Sequence, residues 1–338
     1  MSHTPTISIG LPVFNGARYL REAIKDFLQQ TYEDFELIVS DNASTDESET
    51  IAREAATRDE RIRYVRNETN IGALPNSNQT IELARGRYFC TAAHDDRHAP
   101  NFLERLLAAL EQQQSAVLAY SRCVLIDEAG EPLRAVPERG LHAMPNGRAV
   151  DYDQKLECPL PDDTVKRYHA VLQSNDVNAP MHGLFRRSVL ERVGGHQFHG
   201  SDRLVVAHAS LLGSFAFADE PLFSYRVHPD STFFLTRAEW AKRETGQESS
   251  ASPRAIIQTF GNFWKAVGHS DLGTRDKLRA YAATVAYGLR PAAIGRAILP
   301  SPDNYFGWKR WPWQHEEGPP VRYSAPSGVN NSAAGTHV

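Results

Sequence analysis

The sequence predicts an α/β fold with a mainly parallel sheet flanked by helices, followed by a C-terminal helical appendage. In the first third of the chain, short apolar segments alternate with segments that repeat apolar residues at helical spacing. This alternation is typical of layered α/β domains with parallel strands. The chain has 338 residues, 41% of them hydrophobic, which is enough to bury a large core and excludes a wholly disordered protein.

The first strand is predicted over 6–13, where an apolar, β-branched segment ends near Pro12 and an Asn15-Gly16 turn. A helix over 19–31 follows, with apolar residues spaced along one face. The next elements are a strand over 35–40, a helix over 44–56 opened by a capping box in the STDE segment, a strand over 62–66, a helix over 74–84 and a strand over 87–93.

The second half is less regular. Residues 127–165 are rich in Pro, Gly and charge and are predicted to form a long loop. The other predicted elements are a helix over 101–114, strands over 116–126 and 215–227, a strand leading into a helix over 183–195, and helices over 201–212, 255–267 and 275–289. We expect a catalytic domain over 1–236, a helical extension over 237–313 and a disordered tail over 314–338.

Charge and cysteine content exclude several classes of protein. The net charge of −4 argues against a nucleic-acid partner, which usually requires a basic stripe. The sequence has an odd number of widely spaced cysteines, Cys90, Cys123 and Cys158, so we do not expect a disulfide framework. We expect the protein to occur in a reducing compartment. The N-terminus has no signal-peptide pattern and no segment is long enough to span a membrane. A cytoplasmic location is expected.

Polar clusters follow three of the predicted strands, at 12–15, 41–42 and 94–97. Ligands of open parallel sheets bind beyond the carboxyl ends of the strands. The adjacent carboxylates of Asp95 and Asp96 repel each other unless a cation or donor neutralises them, which suits Mg²⁺ or Mn²⁺. The alternative is a solvated turn in which Asp96 caps the next helix.

Several segments, in this order, resemble family 2 glycosyltransferases of the GT-A fold, and the resemblance covers residues 5–233. The segments are PVFNGARYLREAI, SDNASTD, the NIG…N spacing from Asn70 to Asn78, ARGRYF, HDDRHAPNFLERL, GLFRRSVLERVGG, GSDRLVVAHASLLG and EPLFSYRVHPDS. The resemblance implies a Rossmann-like sheet, a nucleotide-sugar donor and inverting transfer to an acceptor hydroxyl.

The resemblance also implies a nucleotide site. Asn70 and Gly72 are open to a second interpretation, as turn residues chosen for positive φ. Two family positions differ here, because Asn42-Ala43 follows Asp41 where relatives often have a second aspartate and a glycine. The residues that match nucleotide-binding positions are Pro12, Val13, Phe14, Asn15, Asp41, Asn70, Asn78 and Asp95.

The resemblance makes Asp95 the carboxylate that binds Mn²⁺ or Mg²⁺ on the diphosphate. Ala93 replaces the first aspartate of the usual metal motif, which puts metal affinity or ribose contacts in doubt. His228 matches a histidine near the metal and diphosphate, where it would bind the metal or neutralise phosphate. The alternative for His228 is an ordinary loop residue.

Asp202 matches the general base of the family, although an aspartate in this context also caps helices. Asp96, His182 and Gly183 match the acceptor or donor-sugar pocket. The donor is expected to be a UDP-sugar by default and the acceptor a saccharide, a lipid-linked hydroxyl or another hydroxyl. The expected setting is polysaccharide, glycolipid or glycoconjugate biosynthesis.

Two other functions are left open by the sequence. The missing aspartate at Ala93 allows a degenerate nucleotide-sugar-binding protein, and paired carboxylates on an α/β sheet allow a metal-dependent nucleotidyltransferase. A nucleotidyltransferase is expected to have a Gly-rich phosphate loop near the first strand, and this sequence does not have that pattern. Trp308–Trp313 mix aromatic and basic residues, as peripheral membrane anchors do, which would place the protein on the inner face of the membrane. The alternative is packing of these tryptophans on the catalytic domain or on a second subunit, in a homodimer.

Overall fold

A computed structural model describes residues 3–136, 141–145, 149–152, 156–174, 177–196, 201–229, 231 and 253–289. Strands and helices alternate through the first half of the chain. The strands are β1 (Ile7–Val13), β2 (Phe35–Asp41), β3 (Ile62–Arg66), β4 (Tyr88–Thr91), β5 (Arg97–His98), β6 (Ala116–Ile126), β7 (Arg134–Val136), β8 (Leu141–Ala143), β9 (Ala149–Asp151), β10 (Leu184–Arg186) and β11 (Ser214–Arg226). The helices are α1 (Ala17–Leu28), α2 (Ser48–Arg58), α3 (Ala73–Leu83), α4 (Phe102–Gln112), α5 (Thr164–Gln173), α6 (Asn178–Met181), α7 (Arg187–Val193), α8 (Ser201–Leu212), α9 (Pro253–Gly268) and α10 (Thr274–Gly288).

Eight strands form one sheet in the order β3-β2-β1-β4-β10-β6-β11-β5. The pairs β3/β2, β2/β1, β1/β4 and β6/β11 are parallel, whereas β10 runs antiparallel to both β4 and β6, and β5 antiparallel to β11. The strands β1, β2, β3, β4, β6 and β11 therefore point the same way. Their carboxyl ends meet at one edge of the sheet, where ligands of such folds bind.

The centre of the sheet is buried on both faces, which explains the near-continuous apolar strands of the sequence. In β1, Ile7, Ile9 and Leu11 are fully buried, and β2 is buried along its whole length. Gly10 lies in β1 directly under α3, because a Cβ there would come within 2.2 Å of Thr80 Oγ1. This glycine lets the helix lie close to the strand.

Most predicted elements are confirmed within a few residues, but the helix predicted over 44–56 begins later, at Ser48. The Ser44 hydroxyl accepts a hydrogen bond from the Asn15 backbone N–H at 2.9 Å instead of capping the helix. Asp46 accepts from the Ser48 N–H at 3.0 Å and from the Ala17 N–H at 3.0 Å. The predicted capping box is wrong because its residues bind the loop after β1.

The long loop predicted over 127–165 is also wrong in part. It contains β7, β8 and β9, which pair antiparallel as a separate three-stranded sheet, and the first residues of α5. Asp163 caps α5 by accepting from the Lys166 N–H at 2.8 Å. Strands of three residues are too short to show an alternating pattern in the sequence.

The predicted C-terminal helices are present as α9 and α10, which pack on α8 and α5 respectively. A buried hydrogen bond links α5 to α10, where the Tyr168 hydroxyl lies 2.8 Å from Thr284 Oγ1. Among the described residues, no helix combines the length and the apolar character that crossing a membrane requires. The predicted boundary at 236, the segment with Trp308–Trp313 and the tail over 314–338 lie outside the described residues.

A buried carboxylate joins four segments at the amino end of the sheet. Glu36 on β2 is 2% exposed and accepts hydrogen bonds from Ser8 of β1 at 2.7 Å, from Arg63 of β3 at 2.8 Å, and from the Arg85 N–H at 2.8 Å. Burial alone raises the pKa of Glu36, but the hydrogen bonds from Ser8, Arg63 and Arg85 outweigh it and lower the pKa below its usual value.

We expect Glu36→Gln to lower the free energy of unfolding by about 2 kcal/mol at pH 7, because charge-assisted hydrogen bonds are lost. Since the native pKa is depressed, this stabilisation is complete above the unfolded value of about 4.3 and is lost as the pH falls through the native pKa. Urea unfolding at pH 7 and at pH 3 measures both effects. Glu60→Gln, at an exposed position, is the control. A wild-type-minus-variant difference that is as large at pH 3 as at pH 7 would contradict the assignment.

Candidate active site

A cleft of about 270 Å³ lies at the carboxyl ends of the parallel strands. Its walls come from the segments after β1, β2 and β4, from α3, from the region of α6, from the start of α8 and from the end of β11. The residues that line the cleft include Pro12, Val13, Phe14, Asn42, Asn70, Ala93, His94, Asp95, Asp96, His182, His196, Asp202, Tyr225 and Ser231.

One wall of the cleft is built from the end of β1 and from two paired amides. Pro12, Val13 and Phe14 line it as predicted, with Phe14 41% exposed. The Asn42 Nδ2 donates to Asn70 Oδ1 at 2.8 Å, and Asn70 Oδ1 also accepts from the Gly72 N–H at 2.8 Å. Asn70 therefore both lines the cleft and holds the turn. The positive φ that the sequence analysis left open for both turn residues is found at Gly72, at 92°, and not at Asn70.

Asp41 and Asn15 lie behind this wall and do not line the cleft, contrary to prediction. Asp41 is fully buried, and its carboxylate accepts from the Ser44 N–H at 2.9 Å, from the Tyr64 hydroxyl at 2.8 Å and from Arg66. Burial and the hydrogen bond to Asp41 raise the pKa of Tyr64 to about 12, so this hydroxyl stays a donor. Asn15 Oδ1 accepts from the Thr45 N–H at 2.8 Å. Both residues hold the loop after β2.

Asn78 and Gly183 also have contacts other than those predicted. The Asn78 amide binds the backbone of His196 on both sides, donating to the carbonyl at 2.6 Å and accepting from the N–H at 2.8 Å. Gly183 is buried against β6, where a Cβ would come within 2.3 Å of the Ala119 carbonyl. Neither lines the cleft, because the amide is used on the backbone and the glycine is needed for strand packing.

Asp95 and His228 form a close pair at the cleft. His228 Nε2 lies 3.0 Å from Asp95 Oδ2, and the side chains are 7% and 17% exposed. The His228 N–H donates to the Ser231 hydroxyl at 2.9 Å, which fixes the loop after β11. The two predicted metal ligands are thus brought together from positions 133 residues apart.

Asp96 borders the cleft beside Asp95, but its side chain is almost fully buried and one of its carboxyl oxygens is used to hold the turn. It is 1% exposed and accepts from the Arg226 N–H at 2.9 Å. Burial and the neighbouring Asp95 carboxylate raise the pKa of Asp96 well above its usual value.

A buried arginine joins the Asp95–Asp96 turn to the end of β11. The Arg226 guanidinium is 1% exposed and donates to the Asp95 carbonyl at 2.7 Å, to the Glu128 carbonyl at 2.8 Å and to Glu22 at 2.8 Å. It also lies over the Tyr19 ring, 4.4 Å from its centroid. These contacts fix the Asp95 backbone relative to α1 and β11.

Asp202, which also lines the cleft, lies in the first turn of α8 and is 45% exposed. Its Oδ1 is 3.1 Å from Nδ1 of His196, a residue that the sequence analysis did not single out. The preceding Gly194 and Gly195 both have positive φ, at 82° and 61°. That glycine pair was the available signal of a sharply turned segment before α8.

His182 lines the cleft between these two pairs, in agreement with the predicted pocket position. Its ring stacks on Phe223 with centroids 4.9 Å apart, and Nδ1 is 3.1 Å from the Thr91 carbonyl. Burial lowers the pKa of His182, so the ring is neutral at pH 7 and donates to that carbonyl.

The donor set suits a divalent cation that a bound diphosphate completes. Within the described ranges, no group of three or more His, Cys, Asp and Glu side chains could hold a metal ion alone. Asp95 and His228 supply one carboxylate and one imidazole, and Mg²⁺ commonly takes one or two carboxylates plus substrate phosphates. The set therefore fits a cation that arrives with its nucleotide.

Comparison with solved structures supports the same architecture. The chain is similar to Staphylococcus aureus TarS 1–349 in complex with UDP-GlcNAc, with a TM-score of 0.61, 14% identity, and coverage of 86% of this chain and 78% of that one. It is also similar to the complex of TarS 1–349 with UDP, with a TM-score of 0.59, 17% identity, and coverage of 86% and 74%. This likeness shows the GT-A fold.

Sequence comparisons agree. A Rickettsia felis protein named an uncharacterized glycosyltransferase is 38% identical over 135 residues, 40% of this chain and 22% of that protein. The putative glycosyltransferase EpsE of Bacillus subtilis is 33% identical over 148 residues, covering 42% and 53%. The putative colanic acid biosynthesis glycosyl transferase WcaA of Escherichia coli is 36% identical over 121 residues, covering 36% and 43%. The matched part spans about half or less of each relative.

The family model of glycosyl transferase family 2 matches residues 8–194, more than half of the chain. That range contains every strand that contributes to the cleft except β11, together with Asp95 and His182. By fold, cleft and sequence, the chain belongs to glycosyl transferase family 2.

Proposed function

We propose that the protein is an inverting glycosyltransferase that moves a sugar from a nucleoside-diphosphate sugar to an acceptor hydroxyl. The observation that carries the proposal is one cleft lined both by Asp95, which is paired with His228, and by the half-exposed Asp202. The Asp95–His228 pair suits a diphosphate with its cation. The exposed Asp202 carboxylate suits an acceptor that must lose a proton.

Asp202 is the general base of the proposed reaction. As the acceptor oxygen attacks the anomeric carbon, its proton passes to the Asp202 carboxylate. The bond from the anomeric carbon to the diphosphate oxygen breaks on the opposite face, and its electron pair leaves with the nucleoside diphosphate. Attack opposite the leaving group inverts the configuration of that carbon.

The phosphate side of the site belongs to Asp95, with His228 beside it. These residues would hold Mn²⁺ or Mg²⁺, which when bound supplies Lewis-acid stabilisation of charge on the departing diphosphate. Asn42, Asn70 and the segment from Pro12 to Phe14 bind the nucleoside, and His182 faces the transferred sugar or the acceptor. Because TarS 1–349 was solved in complex with UDP-GlcNAc, a UDP-sugar is the first donor to test.

The cysteines support a cytoplasmic location. Cys90 and Cys123 are buried, and Cys158 is exposed. An odd number of widely spaced cysteines is not a disulfide framework and is typical of proteins from reducing compartments. We further propose that the acceptor is a saccharide, a lipid-linked hydroxyl or another hydroxyl in polysaccharide, glycolipid or glycoconjugate biosynthesis.

A nucleotide panel tests the proposal. We expect one of UDP, GDP and dTDP, at 1 mM with Mn²⁺ or Mg²⁺, to raise the melting temperature more than it does in EDTA, by mass action on the folded state. ADP is the control for unselective diphosphate binding. The same donor class should then release its nucleoside diphosphate slowly with water as acceptor.

Ala93 lines the cleft where relatives often have an aspartate, and this favours one competing function, a nucleotide-sugar-binding protein without catalysis. Metal-dependent binding without any release of nucleoside diphosphate would support that function. No melting shift with any nucleotide would contradict both.

A further inference from the structure

His196 and Asp202 form a pair that the proposed reaction does not yet explain. His196 Nδ1 lies 3.1 Å from Asp202 Oδ1, and the side chains are 6% and 45% exposed. The imidazole is therefore buried while the carboxylate reaches the cleft. A neutral imidazole with its proton on Nδ1 donates a hydrogen bond to a carboxylate in this arrangement.

The position of His196 is fixed by its backbone as well as by burial. Asn78 on α3 donates to its carbonyl at 2.6 Å and accepts from its N–H at 2.8 Å. Gly195 makes room for this contact, because its φ is +61° and a Cβ there would come within 2.5 Å of Asn78 Oδ1. A buried side chain held at both backbone atoms is suited to orient a partner.

Other charged or titratable groups near the pair include His182, Asp95 and Arg203. His182 faces it from the segment before β10 and is kept neutral by burial. Asp95 faces the same space from the end of β4. Arg203, next to Asp202 on α8, directs its guanidinium to the Tyr287 hydroxyl of α10 at 3.0 Å.

We propose that His196 is a positioning residue that holds the Asp202 carboxylate in the orientation needed to take the acceptor proton. The inference rests on the proposed role of Asp202 as general base. A base needs only one carboxylate oxygen at the acceptor, and the contact with His196 Nδ1 at 3.1 Å holds the other. A donor at this oxygen also stabilises the ionised form of the carboxylate, which is the form that accepts a proton.

The test compares His196→Leu with His196→Asn. The asparagine amide nitrogen stands the same number of bonds from Cα as Nδ1 of histidine, so it can donate to Asp202, whereas leucine cannot. His169→Leu, at an exposed position on α5, is the matched control. Nucleoside-diphosphate release is measured with UDP-glucose, UDP-GlcNAc, GDP-mannose and dTDP-glucose, with water as acceptor, as a function of pH. Melting shifts with the matching nucleoside diphosphate report folding and donor-site binding.

We expect His196→Leu to lower kcat about 10- to 100-fold, the loss of one hydrogen bond to a charged group. KM for the donor and the melting shift should stay within about twofold, and the acidic limb of the pH profile should move to higher pH, because the carboxylate then holds its proton more tightly. His196→Asn should recover most of kcat and the position of the limb.

An unchanged kcat and acidic limb in His196→Leu would overturn the proposal, as would equal losses in the leucine and asparagine variants. Asp202→Asn measured in parallel separates this failure from that of the proposed function. If Asp202→Asn is inactive while His196→Leu is normal, only the inference about His196 fails. If Asp202→Asn remains active, the base assignment itself fails.

Discussion

Asp202→Asn is expected to lower the rate of sugar transfer about 10³-fold, within the range that general-base catalysis contributes. The amide keeps the size and a hydrogen-bonding oxygen, but it cannot accept the acceptor proton at neutral pH. Because the proposed donor site is built on Asp95 and His228 and not on Asp202, nucleoside-diphosphate affinity should stay within a few-fold. Release of nucleoside diphosphate gives the rate, and the melting shift gives the affinity.

Asp219→Asn is the matched control for this experiment, since Asp219 is an exposed aspartate paired with Arg122. It should transfer at the wild-type rate. Retention of most of the turnover by Asp202→Asn would show that another group takes the proton. Loss of nucleotide binding in this variant would mean that Asp202 belongs to the donor site instead.

Asp95→Ala is expected to abolish the metal-dependent part of nucleotide binding. Its carboxylate is the proposed ligand of the cation, next to His228, and the backbone of the turn is held independently through the Asp95 carbonyl and Arg226. With nucleotide at 100 times the wild-type Kd, a 100-fold loss of affinity reduces the ligand-induced stabilisation from about 2.7 to about 0.4 kcal/mol. Melting curves with Mn²⁺ and with EDTA measure this difference.

The EDTA arm separates loss of the cation from loss of the fold. Without metal, wild type and Asp95→Ala should show the same small shift with nucleotide and the same unliganded melting temperature within a few degrees. Asp219→Ala should keep the full metal-dependent shift. A shift in Asp95→Ala that still depends on Mn²⁺ would remove Asp95 from the set of metal ligands.

The sequence predicted the sheet and the edge at which the cleft lies, because both follow from the order of apolar segments and the polar residues after them. It could not predict which polar side chains face the cleft. Asp41 is the last residue of β2, but its carboxylate is buried and accepts hydrogen bonds from Tyr64 and Arg66 of the neighbouring β3. Partners on a neighbouring strand are invisible in a local sequence pattern.

His196 was missed for a related reason. Its proposed role depends on Asn78, which lies 118 residues earlier in the chain, and on Asp202, which lies six residues later. Asn78 was singled out, but for a contact with nucleotide. The short strands β7, β8 and β9 were missed because three residues are too few to show an alternating pattern. These strands are recognised only by their pairing with one another.

The position of β11 in the sheet has a consequence for protein synthesis. The cleft needs both the first strand and the loop after β11, so about 220 residues separate Pro12 from Ser231. At about 5–20 residues per second, a ribosome needs on the order of 10–40 s to make that stretch. During this interval the growing chain already contains Asp95 and Asp96 but not their partners. Arg226, whose N–H donates to Asp96, and His228, which pairs with Asp95, are made later. A nascent chain therefore acquires the Asp95–His228 pair only when the last strand of the sheet is inserted between β6 and β5.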